Sequence, residues 1–122
     1  MSAYNQNTSH LTRLYKATGY SIKGFKSTFK YEQAFRLECY ILLILIPLAI
    51  WIGSSPVDYC LLIGSWAFVM VIEMLNSAIE ATIDRIGSEQ HELSGRAKDI
   101  GSAAVMLSVL LATGVWLAIL ST

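Results

Sequence analysis

EMLNSAIEATID, running from Glu73 to Asp84, closes a strongly apolar stretch and sets Glu73, Asn76, Ser77, Glu80 and Asp84 at offsets of 3, 4, 7 and 11. On a helix those offsets hold the five side chains within about 60° of a common direction. A carboxylate at the centre of a bilayer costs about 2.5 to 3.5 kcal/mol or more, so such a face is expected to look into a protein interior or a polar cavity. The plainer alternative is an amphipathic turn bathed in headgroup water.

Working outward from this face, the chain has 122 residues, is 54% apolar and 15% charged, and has a mean hydropathy of +0.50. That profile belongs in a membrane. Three apolar runs carry the reading: Cys39 to Ile52, Tyr59 to Ile72, and Ile100 to Leu120. Only the third reaches about 20 residues unaided. The first extends back to Glu32 and the second runs from Val57 to Arg85. At about 1.5 Å per residue the second outruns a hydrocarbon core of about 30 Å, so its Glu73 to Asp84 end passes out through one interface. The expected fold is all-α, a single membrane domain over residues 1–122 with an amphipathic surface helix at about 8–30 and spans at 32–52, 57–85 and 94–120.

Charge placement orients the spans. Arg13, Lys16, Lys23, Lys26, Lys30 and Arg36 precede the first, and Arg85, Arg96 and Lys98 lie between the second and third, which accounts for all nine basic residues. The connection Gly53 to Asp58 and the tail Ser121-Thr122 carry none. The positive-inside rule therefore predicts a cytoplasmic N-terminus, an outer C-terminus and a cytoplasmic polar face. Trp51, Tyr59 and Trp116 fall near the predicted outer boundary, Tyr31 and Tyr40 near the inner one, and Trp66 deeper. The polar or amphipathic first 38 residues predict no cleavable signal peptide. Cys39 and Cys60 fall near opposite ends of neighbouring spans and read as small apolar fillers rather than a disulfide.

Leu11, Leu14, Tyr15, Ile22, Phe25 and Phe29 recur at helical spacing among basic residues, which predicts a helix lying on the membrane surface, with Gly19 and Gly24 as places for a break or bend. Its basic side suits anionic lipid or a polyphosphate ligand. Pro47 predicts a kink in the first span. Glu32 and Arg36 stand i and i+4 and can form a surface ion pair. Gly53-Ser54-Ser55-Pro56 reads as a short outer turn. Gly101-Ser102-Ala103-Ala104 forms a small-residue patch suited to close helix approach.

By depth, Glu32, Glu38, Glu73, Asn76, Glu80, Lys98 and Asp99 converge on one boundary from three helices. Grouped carboxylates bind divalent cations, and magnesium uses one or two of them while leaving positions for phosphate oxygens and water. Lys98 with Arg13 can hold a polyphosphate by charge. Phosphoryl transfer asks mainly for such positioning, charge neutralisation and a base for the attacking hydroxyl. Glu73, the carboxylate closest to hydrocarbon, is the natural base for a lipid hydroxyl. The chain has neither GxxxxGK[ST] nor GxGxxG, so a nucleotide site here is of another kind. Taken alone, His10 and His91 read as surface histidines.

The stretch EMLNSAIEATIDRIGSEQHELSGRAKDIGSAAV, Glu73 to Val105, strongly resembles the prokaryotic diacylglycerol kinases, and GYSIKGFKSTFKYEQAFRLE, Gly19 to Glu38, is more weakly similar. The resemblance implies MgATP-dependent phosphorylation of diacylglycerol to phosphatidic acid at the bacterial inner membrane. It also implies a homotrimer with active sites shared between subunits, and no nucleic-acid partner. By the same resemblance Glu73 is the catalytic base with Asn76 in its cluster, and Glu32 and Glu80 are the metal ligands. Arg13, Tyr20, Glu89, His91, Lys98 and Asp99 become nucleotide contacts. Ser102 and Arg13 line the lipid path, and Trp51 and Trp116 lie nearer the acyl chains. Undecaprenol is the acceptor in related enzymes. A cation-coupled transporter is a competing reading, but it prefers a site near the midplane; a noncatalytic membrane subunit is another, and it leaves Glu73 in hydrocarbon without return.

Overall fold

The computed structural model describes residues 9–87 and 91–122. Within them the regular structure is entirely helical: α1 at His10–Tyr31, α2 at Gln33–Ile52, α3 at Pro56–Ile86 and α4 at Glu92–Leu120. The last three are each long and apolar enough to cross a membrane.

Ser9 caps α1, its hydroxyl accepting from the Thr12 amide. The helix continues through Gly19 and Gly24 without interruption. Each glycine costs up to about 1 kcal/mol against alanine, which a run of 22 residues with five turns of backbone bonding absorbs. A single extended residue, Glu32, separates α1 from α2 and caps both. The sequence offers Arg36 as an ion-pair partner for Glu32, but the guanidinium turns the other way. Its Nη1 donates to the carbonyls of Phe29 (2.8 Å) and Lys30 (2.7 Å). A helix end leaves its last carbonyls without internal donors, and a cation there satisfies them and opposes the negative end of the dipole.

α2 runs unbroken through Pro47 to Gly53. The turn that follows is closed by reciprocal side-chain bonds. Ser55 accepts from the Asp58 amide at 3.2 Å, and Asp58 accepts from both the amide and hydroxyl of Ser54 at 3.0 Å. Pro56 takes the first helical position of α3, where its missing N–H removes nothing. His91 starts α4, its Nδ1 accepting from the Leu93 amide at 3.0 Å.

α3 packs against both α2 and α4, more extensively against α4. The α4 side of that seam buries Gly101, Ser108 and Ala112, small residues spaced by two turns and then one. Ser102, Ala103 and Ala104 are exposed, because consecutive residues step around a helix by about 100° and only one of a contiguous patch can face a given neighbour. Trp66 and Trp116 stitch the helices together: the Trp66 indole donates to the Glu38 carbonyl and the Trp116 indole to the Leu62 carbonyl, both at 3.0 Å. The second bond draws Trp116 into the α3–α4 seam. Cys39 and Cys60 are both free thiols.

Candidate active site

The polar face from Glu73 to Asp84 is graded in burial. Glu73, Asn76 and Ser77 are buried, at 7%, 8% and 9% exposure; Glu80 is half-buried and Asp84 is exposed. Helical periodicity aligns the five, and packing then separates them. The apolar half of α3 is flanked by α2 and α4, so residues nearest that half go under cover; in the last two turns Ile83 is still buried, while Asp84 on the polar face is exposed and met by Lys98 of α4.

Two close approaches make the cover. On one side α2 brings in Glu38, itself 8% exposed, whose carboxyl lies against that of Glu73 within hydrogen-bonding reach. On the other side α4 presents Gly101, and a Cβ built on it would collide with Asn76 Oδ1. Asn76 Nδ2 donates to Glu80 Oε1 at 3.3 Å, which links the buried end of the face to its half-buried end. Asn76 Oδ1, Ser77 Oγ and Glu38 Oε1 are buried and accept no hydrogen bond from the described residues.

Glu32 arrives at this cluster from the α1–α2 joint. Glu73 lies within electrostatic reach of Glu32 and Glu80 as well as beside Glu38, so carboxylates from the joint, α2 and α3 share one end of the spans. Among the described residues no three metal-ligating side chains close into a cage. Two hard oxygen donors, Glu32 and Glu80, suit a magnesium ion that takes its remaining ligands from phosphate and water, since such ions are held by one or two carboxylates rather than by complete protein cages.

Lys98 is paired with a residue the sequence reading did not assign to it: Nζ lies 3.3 Å from Asp84 Oδ1, joining α4 to the outer end of the polar face. Asp99 beside it is exposed, and Arg96 pairs along the helix with Glu92 at 3.5 Å. Arg13 and Tyr20 are half-buried on α1. His91 has its Nδ1 engaged as the helix cap and its ring exposed, and Glu89 lies outside the described residues. Ser102 faces outward on α4, and Trp51, at 81% exposure, lies far along α2 from the cluster. Deeper along the spans Trp66 and Trp116 line an apolar cleft of about 250 Å³ together with Ile41, Leu45 and Thr113.

The contacts missed from sequence are the Glu38–Glu73 approach, the Arg36 cap and the Lys98–Asp84 pair. The first had a legible signal, since Glu38 is an acid standing directly before the apolar run of the first span. The other two depend on tertiary geometry.

Comparison with known proteins gives one consistent result. Residues 19–120 match the family model described as prokaryotic diacylglycerol kinase. The chain is 50% identical to the diacylglycerol kinase of Haemophilus influenzae over 109 residues, covering 89% of this chain and 92% of that one. It is 50% identical to the diacylglycerol kinase of Escherichia coli strain K12 over 110 residues, 90% of each. The diacylglycerol kinase of Pseudomonas aeruginosa is 43% identical over 110 residues, 90% of this chain and 89% of the relative.

Proposed function

Because this chain belongs to the prokaryotic diacylglycerol kinase family and is a bacterial membrane lipid kinase that phosphorylates diacylglycerol, we propose that it transfers the phosphoryl group of ATP directly to the lipid hydroxyl at the cytoplasmic interface, with Glu73 as the base. The observation that carries this reading is the gathering of Glu38, Glu32 and Glu80 around a buried Glu73 at one end of three apolar helices. A lipid hydroxyl can reach that point from the bilayer, and a triphosphate can reach it from water.

In this reading Glu73 accepts the hydroxyl proton as the lipid oxygen attacks the γ-phosphorus and the bond from that phosphorus to the bridging oxygen breaks, ADP leaving with the electron pair, and Asn76 holds the neighbouring Glu80 through its amide. Glu32 and Glu80 are the residues that would hold Mg2+, which would supply charge neutralisation on the phosphates. Arg13, Tyr20, His91, Lys98 and Asp99 face the nucleotide, with Glu89 in the connection between α3 and α4. Lys98 is kept in place until then by Asp84. Diacylglycerol enters past Ser102 and Arg13 and runs its acyl chains along the apolar cleft beside Trp116, with Trp51 farther out. The helix α1 lies on the cytoplasmic surface with its apolar residues toward lipid. Three copies assemble, each site drawing side chains from more than one.

Purified protein in mixed micelles with radiolabelled MgATP and short-chain diacylglycerol is expected to form labelled phosphatidate, and to label undecaprenol poorly in a parallel reaction. Glu73→Gln is expected to abolish turnover while keeping the helical content and assembly of the parent. Undiminished turnover in that variant removes Glu73 from its role.

A further inference from the structure

We infer that Glu38 is the positioning residue of Glu73, fixing which of its oxygens meets the lipid hydroxyl. The backbone around Glu38 is pinned first: the Trp66 indole of α3 donates to the Glu38 carbonyl at 3.0 Å, and Trp66 lies two turns before Glu73 on the same face of α3. One tryptophan thus sets the register of α2 against the helix that carries the base. The side chain then completes the link, its buried carboxyl meeting that of Glu73 across the seam within hydrogen-bonding reach.

A structural explanation fits Glu38 poorly. It lies directly before the apolar run of α2, takes part in none of the ion pairs among the described residues, and leaves Oε1 buried with no hydrogen bond from them. A buried polar atom without a partner costs free energy, and an apolar side chain of similar volume in such a place is often neutral or stabilising. The return on keeping an acid there is local. A glutamate side chain turns about three torsions, and a base must hold one oxygen at the proton it takes. A donor on one Glu73 oxygen leaves the other for the substrate. Misplacing a reacting group by about 1 Å can cost about 100-fold in rate.

This inference rests on Glu73 being the base, and the test separates the two. Glu38→Gln retains a donor of the same reach, whereas Glu38→Leu removes it at similar volume. In mixed micelles with MgATP and short-chain diacylglycerol, Glu38→Leu is expected to lower kcat by about 100-fold with both KM values within about two-fold of the parent, and Glu38→Gln to keep kcat within about three-fold. Glu38→Met, which keeps the length without the donor, is read in the same way where Glu38→Leu does not assemble. The inference is overturned if the apolar variants keep parental kcat, if Glu38→Gln falls as far as they do, or if the loss lies in KM or in the magnesium requirement instead. Parental turnover in Glu73→Gln sinks the base assignment itself. An inactive Glu73→Gln beside a fully active Glu38→Leu sinks only the role given to Glu38.

Discussion

Asn76 and Gly101 meet where α3 and α4 come closest, and the contact leaves no room for even a methyl group. Gly101→Ala is expected to push Asn76 off its bond to Glu80 and to destabilise the protein by about 1 to 3 kcal/mol, the usual cost of overpacking a filled site. Thermal unfolding in detergent reads this, with Ser102→Ala, one residue on and exposed, expected to stay within about 0.5 kcal/mol of the parent. At this scale the sequence was informative wherever a residue type contradicted its surroundings. An acid such as Glu73 in an apolar run announces itself because hydrocarbon penalises it. His91 did not announce its place, because a histidine that caps a helix and one that merely faces water look alike until the helix start is known.

At the level of elements, periodicity and length make the three apolar helices readable, since a bilayer demands about 20 apolar residues and satisfied backbone groups. The joints between them are less readable. Arg36 is a substitute for the missing donors at the end of α1, reaching over six and seven residues. Arg36→Ala is expected to fray the last turn of α1 by about 1 kcal/mol, seen as about five-fold faster amide exchange over residues 29–32 with α2 unchanged. The two tryptophan bonds are a similar case. An indole N–H deep in an apolar helix needs an acceptor, so a partner carbonyl was foreseeable, but which carbonyl was not. Small residues on α4 were legible as a packing feature, while the choice of Gly101, Ser108 and Ala112 over the contiguous patch needed the facing helix.

For the molecule as a whole, one chain covers its apolar surface thinly. Only 11% of the most apolar window of α4 and 17% of that of α2 is buried within the chain, and large apolar side chains such as Leu43, Ile44, Leu107 and Leu110 point outward. Lipid suits those residues. The half-buried Glu80 and exposed Asp84, Lys98 and Asp99 at one end do not suit it, and neighbouring copies would enclose them. Detergent-corrected mass measurement of active protein is expected to return three chains per particle, and full activity in particles of one chain would overturn that assembly. None of this intermolecular geometry is written in the hydrophobic pattern, which specifies that a face must be covered without specifying by what.

The joint at Glu32 has a mechanical consequence. With one extended residue between α1 and α2, there is no slack chain to take up a change of angle between them, so any tilt of α1 must be made by rotation about the bonds of Glu32 itself. The same residue carries the carboxylate proposed above as a metal ligand, which makes it both pivot and pointer. A rocking of α1 is thereby geared to the direction in which that carboxylate aims, with no spare segment between the two helices to absorb it.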